Sequence, residues 1–508
     1  MNYRIVFQLL GRLALALSIA MLVPTVTALA LDRSVLWAFV GPASLTAGIG
    51  ALIVGRSRTD RQAFGRREAF LLVTATWIFA SIVGALPYLW LHGPSFVVDA
   101  LFESASGFTT TGASILDDIE AESAPLLLWR SMTQWIGGMG MIVLGIAVLP
   151  RLAIGGMELL AAEAPGPTTE KLTPRIAQTA KALWVIYAGL TLIEGVTLWL
   201  LGMSPFDAAN HAFTTMSTGG FSTRNAGIAA FESPTIEVVI NLFMVLAGIN
   251  FALHFKLLRG RFRRVFTDAE LLFFLSVLSI ATLLVTTDLV RSGRDLLEAL
   301  RLGAFQVVAI CTGTGYATAA FDGWPRASVL ILFFLMFVGG CAGSTSGSIK
   351  VVRILIALKK LVVDVRRVVQ PHAILPVRVG PRAIPEDIVV SVTTFIGLFL
   401  TIFVFGALIL AFTGLDLESA LSVSVAALGN VGPALGDYGP MESYAPLHPV
   451  GKLTMVAMMI VGRLELYTVL VILVAGGRLF RRRAASRRVD AAERRMRRIG
   501  VALRDEDS

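Results

Sequence analysis

Long apolar windows alternate with short polar segments along the chain, and this pattern predicts its secondary structure. A helix rises about 1.5 Å per residue, so roughly 20 apolar residues cross the hydrocarbon layer of a membrane. The fold class expected is an all-α integral membrane protein. The sequence predicts ten spanning helices, near 5–31, 34–55, 69–92, 125–149, 178–202, 235–257, 270–290, 326–346, 387–413 and 450–475.

Four further segments are too short and too polar to cross a membrane, yet they are partly apolar. They lie at 95–114, 205–223, 294–318 and 416–435. Each is predicted to form about three helical turns and then to break at a glycine flanked by small or hydroxyl residues. Ser and Asp side chains cap helix N-termini, so the expected start signals are Ser95, Ser204 before Pro205, Asp295 and Asp416.

The four breaks predict an internal repeat whose order is span, short helix, glycine break, span. Their sequences are Thr109-Thr110-Thr111-Gly112, Ser217-Thr218-Gly219-Gly220-Phe221, Thr312-Gly313-Thr314-Gly315-Tyr316 and Gly429-Asn430-Val431-Gly432-Pro433. The last glycine of each break lies about a hundred residues from the next, a period typical of tandem structural units. The repeats are expected at 61–155, 170–262, 266–368 and 384–478, after two extra N-terminal spans in 1–60 and before a basic tail at 479–508.

Backbone that leaves helical geometry at membrane depth survives only where it is buried or lines a watery path. Four such breaks therefore indicate a shared polar lumen. Rings of backbone carbonyls replace the hydration shell of K⁺ in selectivity filters, and glycine allows the dihedral angles that align them. Each short helix also points the negative end of its dipole at its break, which favours a cation. The expected filter residues are Thr110, Thr111, Gly112, Thr218, Gly219, Gly220, Gly313, Thr314, Gly315, Asn430, Val431 and Gly432.

Composition agrees with lipid as the main solvent. Of 508 residues, 55% are hydrophobic and only 16% are charged, less charge than a soluble protein of this length carries. The net charge is +9, and the basic residues cluster beside apolar windows at 56–67, 256–264, 350–382 and 478–498. Such clusters follow the positive-inside rule, so they and both termini are expected in the cytoplasm and the acidic segment 112–124 outside. This placement argues against nucleic-acid binding.

Catalytic and metal chemistry are not expected. The five histidines are scattered, and the two cysteines, Cys311 and Cys341, lie inside apolar windows. Neither type has the spacing of a metal site or of a nucleophile–base pair, so the chain is predicted not to be an enzyme.

A run rich in glycine and serine interrupts the second span of the third repeat. It reads Gly339-Gly340-Cys341-Ala342-Gly343-Ser344-Thr345-Ser346-Gly347. Such residues break helices, so the run is either an intramembrane loop or a flexible helix end at the cytoplasmic boundary.

Arg463 lies inside the last apolar window. An arginine there costs from a few to over about ten kcal/mol and marks an ion path or an ion pair. Both interpretations stay open, with Glu465 or Glu194 as candidate ion-pair partners.

At the four breaks the chain resembles the TrkH/KtrB family of K⁺ transporters, and most closely its TrkH branch. The strings Thr-Thr-Thr-Gly, Ser-Thr-Gly-Gly-Phe and Gly-Asn-Val-Gly-Pro carry the resemblance, and the two extra N-terminal spans favour the TrkH branch. The resemblance implies a pore-forming K⁺ uptake subunit of the bacterial inner membrane, with K⁺ as the transported ion and no covalent cofactor. It also implies a homodimer with one pore per protomer and a cytosolic nucleotide-binding regulatory subunit of the TrkA type.

The resemblance gives roles to the two remaining features. It implies that Arg463 is a barrier to cations below the filter. It also implies that the glycine-rich run gates the path, through Gly339, Gly340, Ala342, Gly343, Ser344, Thr345, Ser346 and Gly347. A K⁺ carrier coupled to Na⁺ or H⁺ stays open as an alternative, although the sequence offers few titratable groups at midplane.

Overall fold

The computed structural model describes residues 3–56, 66–147, 172–373 and 375–464, and most of these are helical. The first half of the chain forms α1 Tyr3–Ala20, α2 Leu22–Leu31, α3 Trp37–Arg56, α4 Arg66–His92, α5 Val97–Phe108, α6 Ala124–Ala147, α7 Leu172–Leu200 and α8 Pro205–Met216. The second half forms α9 Pro234–Gly248, α10 Phe251–Leu258, α11 Phe262–Phe266, α12 Ala269–Arg291, α13 Leu296–Cys311, α14 Arg326–Leu335, α15 Val351–Val369, α16 Glu386–Phe412, α17 Leu417–Gly429 and α18 Pro449–Arg463. Two short antiparallel strands, β1 Arg378–Val379 and β2 Arg382–Ala383, pair between α15 and α16.

Six helical stretches in the described part of the chain are long and apolar enough to cross a membrane. The pair α9 and α10 passes the same test together but bends by 99°. The chain is thus a mostly helical, multi-pass membrane protein. The six stretches are Arg4–Leu31, Arg33–Arg56, Phe70–His92, Gln178–Leu200, Ala269–Arg291 and Glu386–Phe412.

The described residues expose many large apolar side chains and bury hydroxyl side chains beside an apolar core. Large apolar side chains point outward, with Phe412 91% exposed and Leu200 75% exposed. Hydroxyl side chains such as Thr111, Thr218 and Thr312 are at most 1% exposed and lie at the centre. An apolar exterior suits lipid, and a polar interior away from lipid suits a path for a hydrophilic solute.

Each short helix packs against the span before it, which positions its C-terminus at the centre. The packed pairs are α4 with α5, α7 with α8, α12 with α13 and α16 with α17. Helix α18, the last one in the described part of the chain, contacts both α17 and α5, so this helix packs beside the first short helix. Lys452 on α18 and Asp99 on α5 form an ion pair across this contact.

The predicted continuous span at 235–257 is wrong, because the helix ends at Gly248 and a new one begins at Phe251. Ile249 has extended backbone, and the Asn250 side chain accepts a hydrogen bond from Ala252 N at 2.8 Å. Asn250 therefore caps a new helix, and apolar content alone could not reveal this start.

The window 326–346 is helical only as far as Leu335, because the chain then becomes irregular until α15 begins at Val351. Ser204, Asp295 and Asp416 are confirmed as N-caps, since each side chain accepts a backbone N–H of the following turn. Ser95 is not an N-cap, because it lies inside a 3-10 turn over Pro94–Phe96 that precedes α5.

Several expectations lie partly or wholly outside the described residues. They concern most of the basic cluster at 56–67, the cluster at 478–498 and the basic tail at 479–508. They also concern the ends of the windows 125–149 and 450–475, parts of the repeats 61–155, 170–262 and 384–478, and Glu465 as a partner of Arg463.

Candidate functional site: a ring of four glycine breaks

The four breaks begin where the four short helices end. Helices α5, α8, α13 and α17 end at Phe108, Met216, Cys311 and Gly429. One or two residues later, a backbone N–H in each break donates a hydrogen bond to the carbonyl three residues back, at 2.9 to 3.3 Å. The donors are Thr110 N, Thr218 N, Gly313 N and Asn430 N. The amide groups are thus tied to the helix ends, and the chain turns sharply into each break.

The backbone handedness then repeats at equivalent positions in all four breaks. Left-handed φ angles occur at Thr110 (53°), Thr218 (52°), Gly313 (72°) and Asn430 (54°). Two residues later, positive φ angles recur at Gly112 (86°), Gly220 (75°), Gly315 (74°) and Gly432 (100°). Glycine permits such left-handed backbone, which carbonyl-lined selectivity filters use.

The breaks contact one another in a closed cycle. A Cβ atom added to any of the four later glycines would lie under 3.0 Å from a carbonyl oxygen of another break, closer than real Cβ atoms come. The order closes on itself, since the last break returns to the first. The pairs are Gly112 with Gly219 O, Gly220 with Thr314 O, Gly315 with Val431 O and Gly432 with Thr111 O.

A cavity of about 110 Å³ lies at the outer end of this ring. All four later glycines line it, together with Asp117 and Glu442. A small polar cavity bounded by four backbone segments can admit water and a hydrated cation up to the ring.

Side chains brace the ring from behind. Asn430 Nδ2 donates to Thr111 Oγ1 and to Met459 O, both at 2.9 Å, which joins the fourth break to the first. Gln134 Nε2 donates to Gly219 O at 2.7 Å, and its Oε1 accepts from Phe221 N at 3.1 Å.

A buried ion pair also connects the first two breaks. Arg130 Nε lies 2.5 Å from Glu103 Oε1, with the side chains 2% and 0% exposed. Glu103 Oε2 accepts from Ile115 N at 2.9 Å, and Arg130 donates to Ser222 O at 2.8 Å. The pair is therefore fully engaged, as burial of two charges requires.

Gln134, Glu103 and Arg130 were not predicted as site residues from the sequence. Arg130 could have been recognised, because an arginine inside the apolar window 125–149 must find a partner away from lipid. The partner could not be named, since it depends on how α5 packs against α6.

The irregular segment between α14 and α15, residues 336–350, lies against the inner side of the ring. Ser348 N donates to Gly429 O at 2.9 Å, and Thr345 Oγ1 lies 3.2 Å from Met216 O and 3.3 Å from Ala247 O. Gly429 and Met216 end two of the short helices, so the loop touches the base of two breaks. We refer to residues 336–350 as the inner loop.

The inner loop is also tied to the bend between α9 and α10. Cys341 N donates to Gly248 O at 2.9 Å, and Phe251 N donates to Gly343 O at 3.1 Å. Within the loop, Gly340 N donates to Ser346 Oγ at 2.7 Å. The inner loop therefore packs against the bend that interrupts the predicted span at 235–257.

Arg463 is 1% exposed and contacts the inner loop directly. Its guanidinium donates to Thr345 O at 2.7 Å. The sequence predicted the loop and the arginine as separate features, and the structure brings them together. Ala342 does not contact Arg463 in this way. Its N–H donates instead to Glu270 Oε1 at 2.5 Å, on the side of the loop that faces α12.

No cluster of three or more His, Cys, Asp or Glu suited to a metal occurs among the described residues. Cys311 and Cys341 are both buried and free.

Comparison with known proteins agrees with this architecture. A family model described as cation transport protein TrkH matches residues 44–480. The Trk system potassium uptake protein TrkH of Salmonella typhimurium is 39% identical over 479 residues, which covers 93% of this chain and 98% of that protein. The Trk system potassium uptake protein TrkH of Halomonas elongata is 38% identical over 477 residues, which covers 93% of this chain and 98% of that protein.

A solved structure also matches over nearly its whole length. The crystal structure of the potassium transporter TrkH from Vibrio parahaemolyticus superposes with a TM-score of 0.86 and 35% identity, covering 93% of this chain and 99% of that one. The chain therefore belongs to the TrkH family of cation transport proteins.

Proposed function

We propose that this protein is the membrane subunit of a Trk potassium uptake system and that K⁺ crosses it through the ring of four glycine breaks. The ring is the observation that carries the proposal, because four backbone segments meet in a cycle too close for any side chain. Carbonyl oxygens then face the lumen, and they can replace the water shell of K⁺. The names of the relatives, which are potassium uptake proteins, support K⁺ as the ion.

The proposed architecture is a pore of four repeats, 61–155, 170–262, 266–368 and 384–478, after two extra N-terminal spans. The repeated φ angles support it, since positions separated by about a hundred residues adopt the same unusual backbone. The filter is assigned to Thr110, Thr111, Gly112, Thr218, Gly219, Gly220, Gly313, Thr314, Gly315, Asn430, Val431 and Gly432.

The inner loop is proposed to gate the pore. Gly347 lies against Gly429 O and close to Gly313, so the loop abuts the inner end of the filter. Its hydrogen bonds join it to α8, α9 and α17, and an irregular loop can exchange such bonds without unfolding the spans. The gating residues are Gly339, Gly340, Gly343, Ser344, Thr345, Ser346 and Gly347, with Ala342 at the edge.

Arg463 is proposed to act twice. Its positive charge near the inner end of the filter discourages a cation from staying there, and its bond to Thr345 O retains the loop. Gate and barrier then form one unit.

The assembly is proposed to be a homodimer in the bacterial inner membrane, with both termini in the cytoplasm. The basic clusters support this orientation through the positive-inside rule. A Trk system implies further components, and a nucleotide-binding subunit of the TrkA type is the proposed partner on the cytoplasmic side.

The experiment that tests this function is growth of a bacterium that lacks its own K⁺ uptake systems. The wild-type protein, with and without a TrkA-type subunit, is expected to restore growth at low K⁺. Gly220→Ser is expected to abolish it, because a side chain there would collide with Thr314 O. Gly189→Ser is the matched control, since no atom lies within 4 Å of its added Cβ.

Two outcomes would contradict the proposal. One is a well-expressed wild-type protein that restores no K⁺-dependent growth with or without the subunit. The other is full activity of Gly220→Ser. A carrier coupled to Na⁺ or H⁺ would instead restore growth only when the coupling ion is supplied.

A further inference from the structure

One buried acid takes no part in the ring or in the inner loop. Glu194 lies on α7 inside the spanning stretch Gln178–Leu200, and its side chain is 0% exposed. Neither oxygen of its carboxyl has a hydrogen-bond partner in standard geometry within the described part of the chain. No basic side chain of that part pairs with it, so Glu194 is not the ion-pair partner of Arg463. An ionisable residue at this depth without a counter-ion points to a function.

Glu194 belongs to a buried stripe on α7. Its members are three or four residues apart and at most 6% exposed, namely Tyr187, Thr191, Glu194 and Leu198. Thr191 Oγ1 accepts a hydrogen bond from Trp135 Nε1 at 3.1 Å, and α7 packs along α8. The Glu194 carboxyl therefore faces protein and not lipid.

The side chain that interacts with this carboxyl is Thr215, near the C-terminus of α8. Thr215 is 0% exposed, and its Oγ1 donates to Tyr316 OH at 3.3 Å. Tyr316 OH also lies 2.5 Å from Thr214 Oγ1. Tyr316 directly follows Gly315 of the third break. A line of buried polar groups thus runs from α7, through the end of α8, to the ring.

The hydrogens in this line favour a protonated carboxyl. A hydroxyl has one hydrogen, so Thr215 can donate it to Tyr316 or to Glu194, but not to both. An ionised carboxylate only accepts, and it would draw that hydrogen away from Tyr316. A protonated carboxyl can donate its own hydrogen to Thr215 Oγ1 and leave the bond to Tyr316 intact. An unpaired carboxylate is also costly to bury, which favours the same form.

We infer that Glu194 is a positioning residue for the filter, and that its protonated carboxyl donates to Thr215 and thereby holds Tyr316 and the third break in place. Gly315 packs in the ring against Val431 O, so a shift of its neighbour Tyr316 displaces a filter carbonyl. Selectivity for K⁺ depends on how such carbonyls are arranged around the ion. Removing the donor should therefore lower discrimination between ions while the pore still conducts.

The protonation state is tested first, on the purified full-length protein and independently of transport. Infrared spectra of the wild type, Glu194→Gln and Glu298→Gln are compared at neutral pH. The C=O stretch of a protonated carboxyl is separate from the bands of carboxylates. Glu194→Gln is expected to lose a protonated-carboxyl band, whereas Glu298→Gln, whose glutamate is 45% exposed, should lose a carboxylate band. Loss of a carboxylate band in Glu194→Gln would overturn the protonated donor.

The effect on the filter is tested next, by the reversal potential with K⁺ on one side and Na⁺ on the other. This arm rests on the proposed function, whereas the infrared arm does not. Glu194→Leu removes the donor and is expected to lower the ratio of K⁺ to Na⁺ permeability by about fivefold, roughly the effect of one hydrogen bond. Glu194→Gln has an amide N–H that can donate, so it should retain most of the wild-type ratio.

Thr215→Val breaks the same line from its other side and should lower the ratio by about as much. Combined with Glu194→Leu it should add little, because both changes remove one connection. Thr197→Val is the control, since it removes a hydroxyl from the exposed face of α7 that donates only to Ile193 O. The ratio does not depend on the amount of protein, so lower expression of a variant does not imitate the effect.

Three results would overturn the role of Glu194. They are a wild-type ratio in Glu194→Leu, equal losses in Glu194→Leu and Glu194→Gln, and full additivity with Thr215→Val. Transport that stops in Glu194→Gln would also overturn it, in favour of a carboxyl that carries protons. Absence of any K⁺ preference in the wild type would contradict the proposed function together with this role, and only the infrared result would then stand.

Discussion

Three residues of the ring hold left-handed backbone although they are not glycine. Thr110, Thr218 and Asn430 have φ angles of 53°, 52° and 54°. A non-glycine residue in this region costs on the order of 1–3 kcal/mol and persists only where its surroundings fix it. For Asn430 the surroundings are Thr111 and Met459 O, which accept its side-chain amide. Such cost at equivalent positions indicates a functional constraint on the backbone.

The sequence predicts all three as filter residues but does not predict their left-handed backbone. A β-branched threonine normally avoids positive φ, so Thr110 and Thr218 carried no local signal for it. The conformation follows from the contacts of the four breaks with one another, and these contacts join residues that are far apart in the sequence.

Gly315→Ser is expected to lower the ratio of K⁺ to Na⁺ permeability by about tenfold. A side chain at Gly315 would collide with Val431 O and strain a φ of 74°, which displaces a filter carbonyl. A tenfold lower ratio corresponds to a loss of about 1.4 kcal/mol in the free-energy difference between K⁺ and Na⁺ in the filter. The readout is the reversal potential with K⁺ on one side and Na⁺ on the other.

Gly323→Ser is the control for this substitution, since its added Cβ meets no atom within 4 Å. An unchanged permeability ratio in Gly315→Ser would remove Gly315 from the filter.

Glu103→Gln is expected to destabilise the protein by about 3 kcal/mol, because it leaves the buried Arg130 charge without its counter-ion. The thermal midpoint, followed by size-exclusion chromatography in detergent, should drop by about 3 °C. Glu298→Gln breaks an exposed pair with Arg294, whose side chain is 38% exposed, and should change the midpoint little. Equal midpoints for the two variants would mean that the buried pair does not brace the ring.

At the scale of elements, the four short helices were predictable, whereas the bend between α9 and α10 that holds the inner loop was not. Capping residues and apolar runs located α8, α13 and α17 to within a few residues, because those signals are local. The bend after Gly248 was missed, since Asn250 caps a helix inside an otherwise apolar window. The bend is held by contacts with the inner loop, which lies about ninety residues further along the chain.

Removing the hydrogen bonds that hold the inner loop in place is expected to raise K⁺ flux. Deleting Ala342–Gly347 removes the bonds to Met216 O, Ala247 O and Phe251 N, and flux should rise by about tenfold if gating limits it. Thr345→Val is a milder change that removes only the hydroxyl and should act in the same direction. Rb⁺ uptake into vesicles measures both.

Thr287→Val controls for loss of a hydroxyl on an exposed helix face, where Thr287 Oγ1 donates only to Leu283 O. Lower flux from a folded, well-expressed deletion variant would count against the inner loop as a gate.

Arg463→Gln should raise flux by roughly fivefold, which corresponds to about 1 kcal/mol of electrostatic barrier. The same change in the Ala342–Gly347 deletion should have a smaller effect, because Thr345 O is no longer there to be held. Arg326→Gln, at the exposed start of α14, is the control. Full additivity of the two changes would separate the arginine from the gate.

At the scale of the whole molecule, the two ends of the path differ in charge. The acidic segment 112–124 lies at one end, where Asn225 Nδ2 donates to Asp118 at 3.0 Å and ties the first repeat to the second. This hydrogen bond lowers the pKa of Asp118. The carboxylate therefore stays charged at neutral pH, and its contribution is lost only as the pH falls through that lowered pKa. Asp118 is therefore expected to stay negatively charged over the physiological pH range, beside a cavity that Arg130 and Arg224 line.

The mostly helical, multi-pass class was predictable, because lipid imposes long apolar spans. Closure of the ring was not, since it depends on how α18 packs against α5, two helices far apart in the sequence. The Lys452–Asp99 pair that secures this contact joins residues more than three hundred positions apart.

The most direct test of the pore is the transport rate of single molecules in a planar bilayer. A pore through the glycine ring should pass more than roughly 10⁶ ions per second when open, with K⁺ and Rb⁺ preferred over Na⁺ and no need for a gradient of H⁺ or Na⁺. Turnover near 10³ per second or below, or transport that stops without such a gradient, would contradict the pore and establish a coupled carrier.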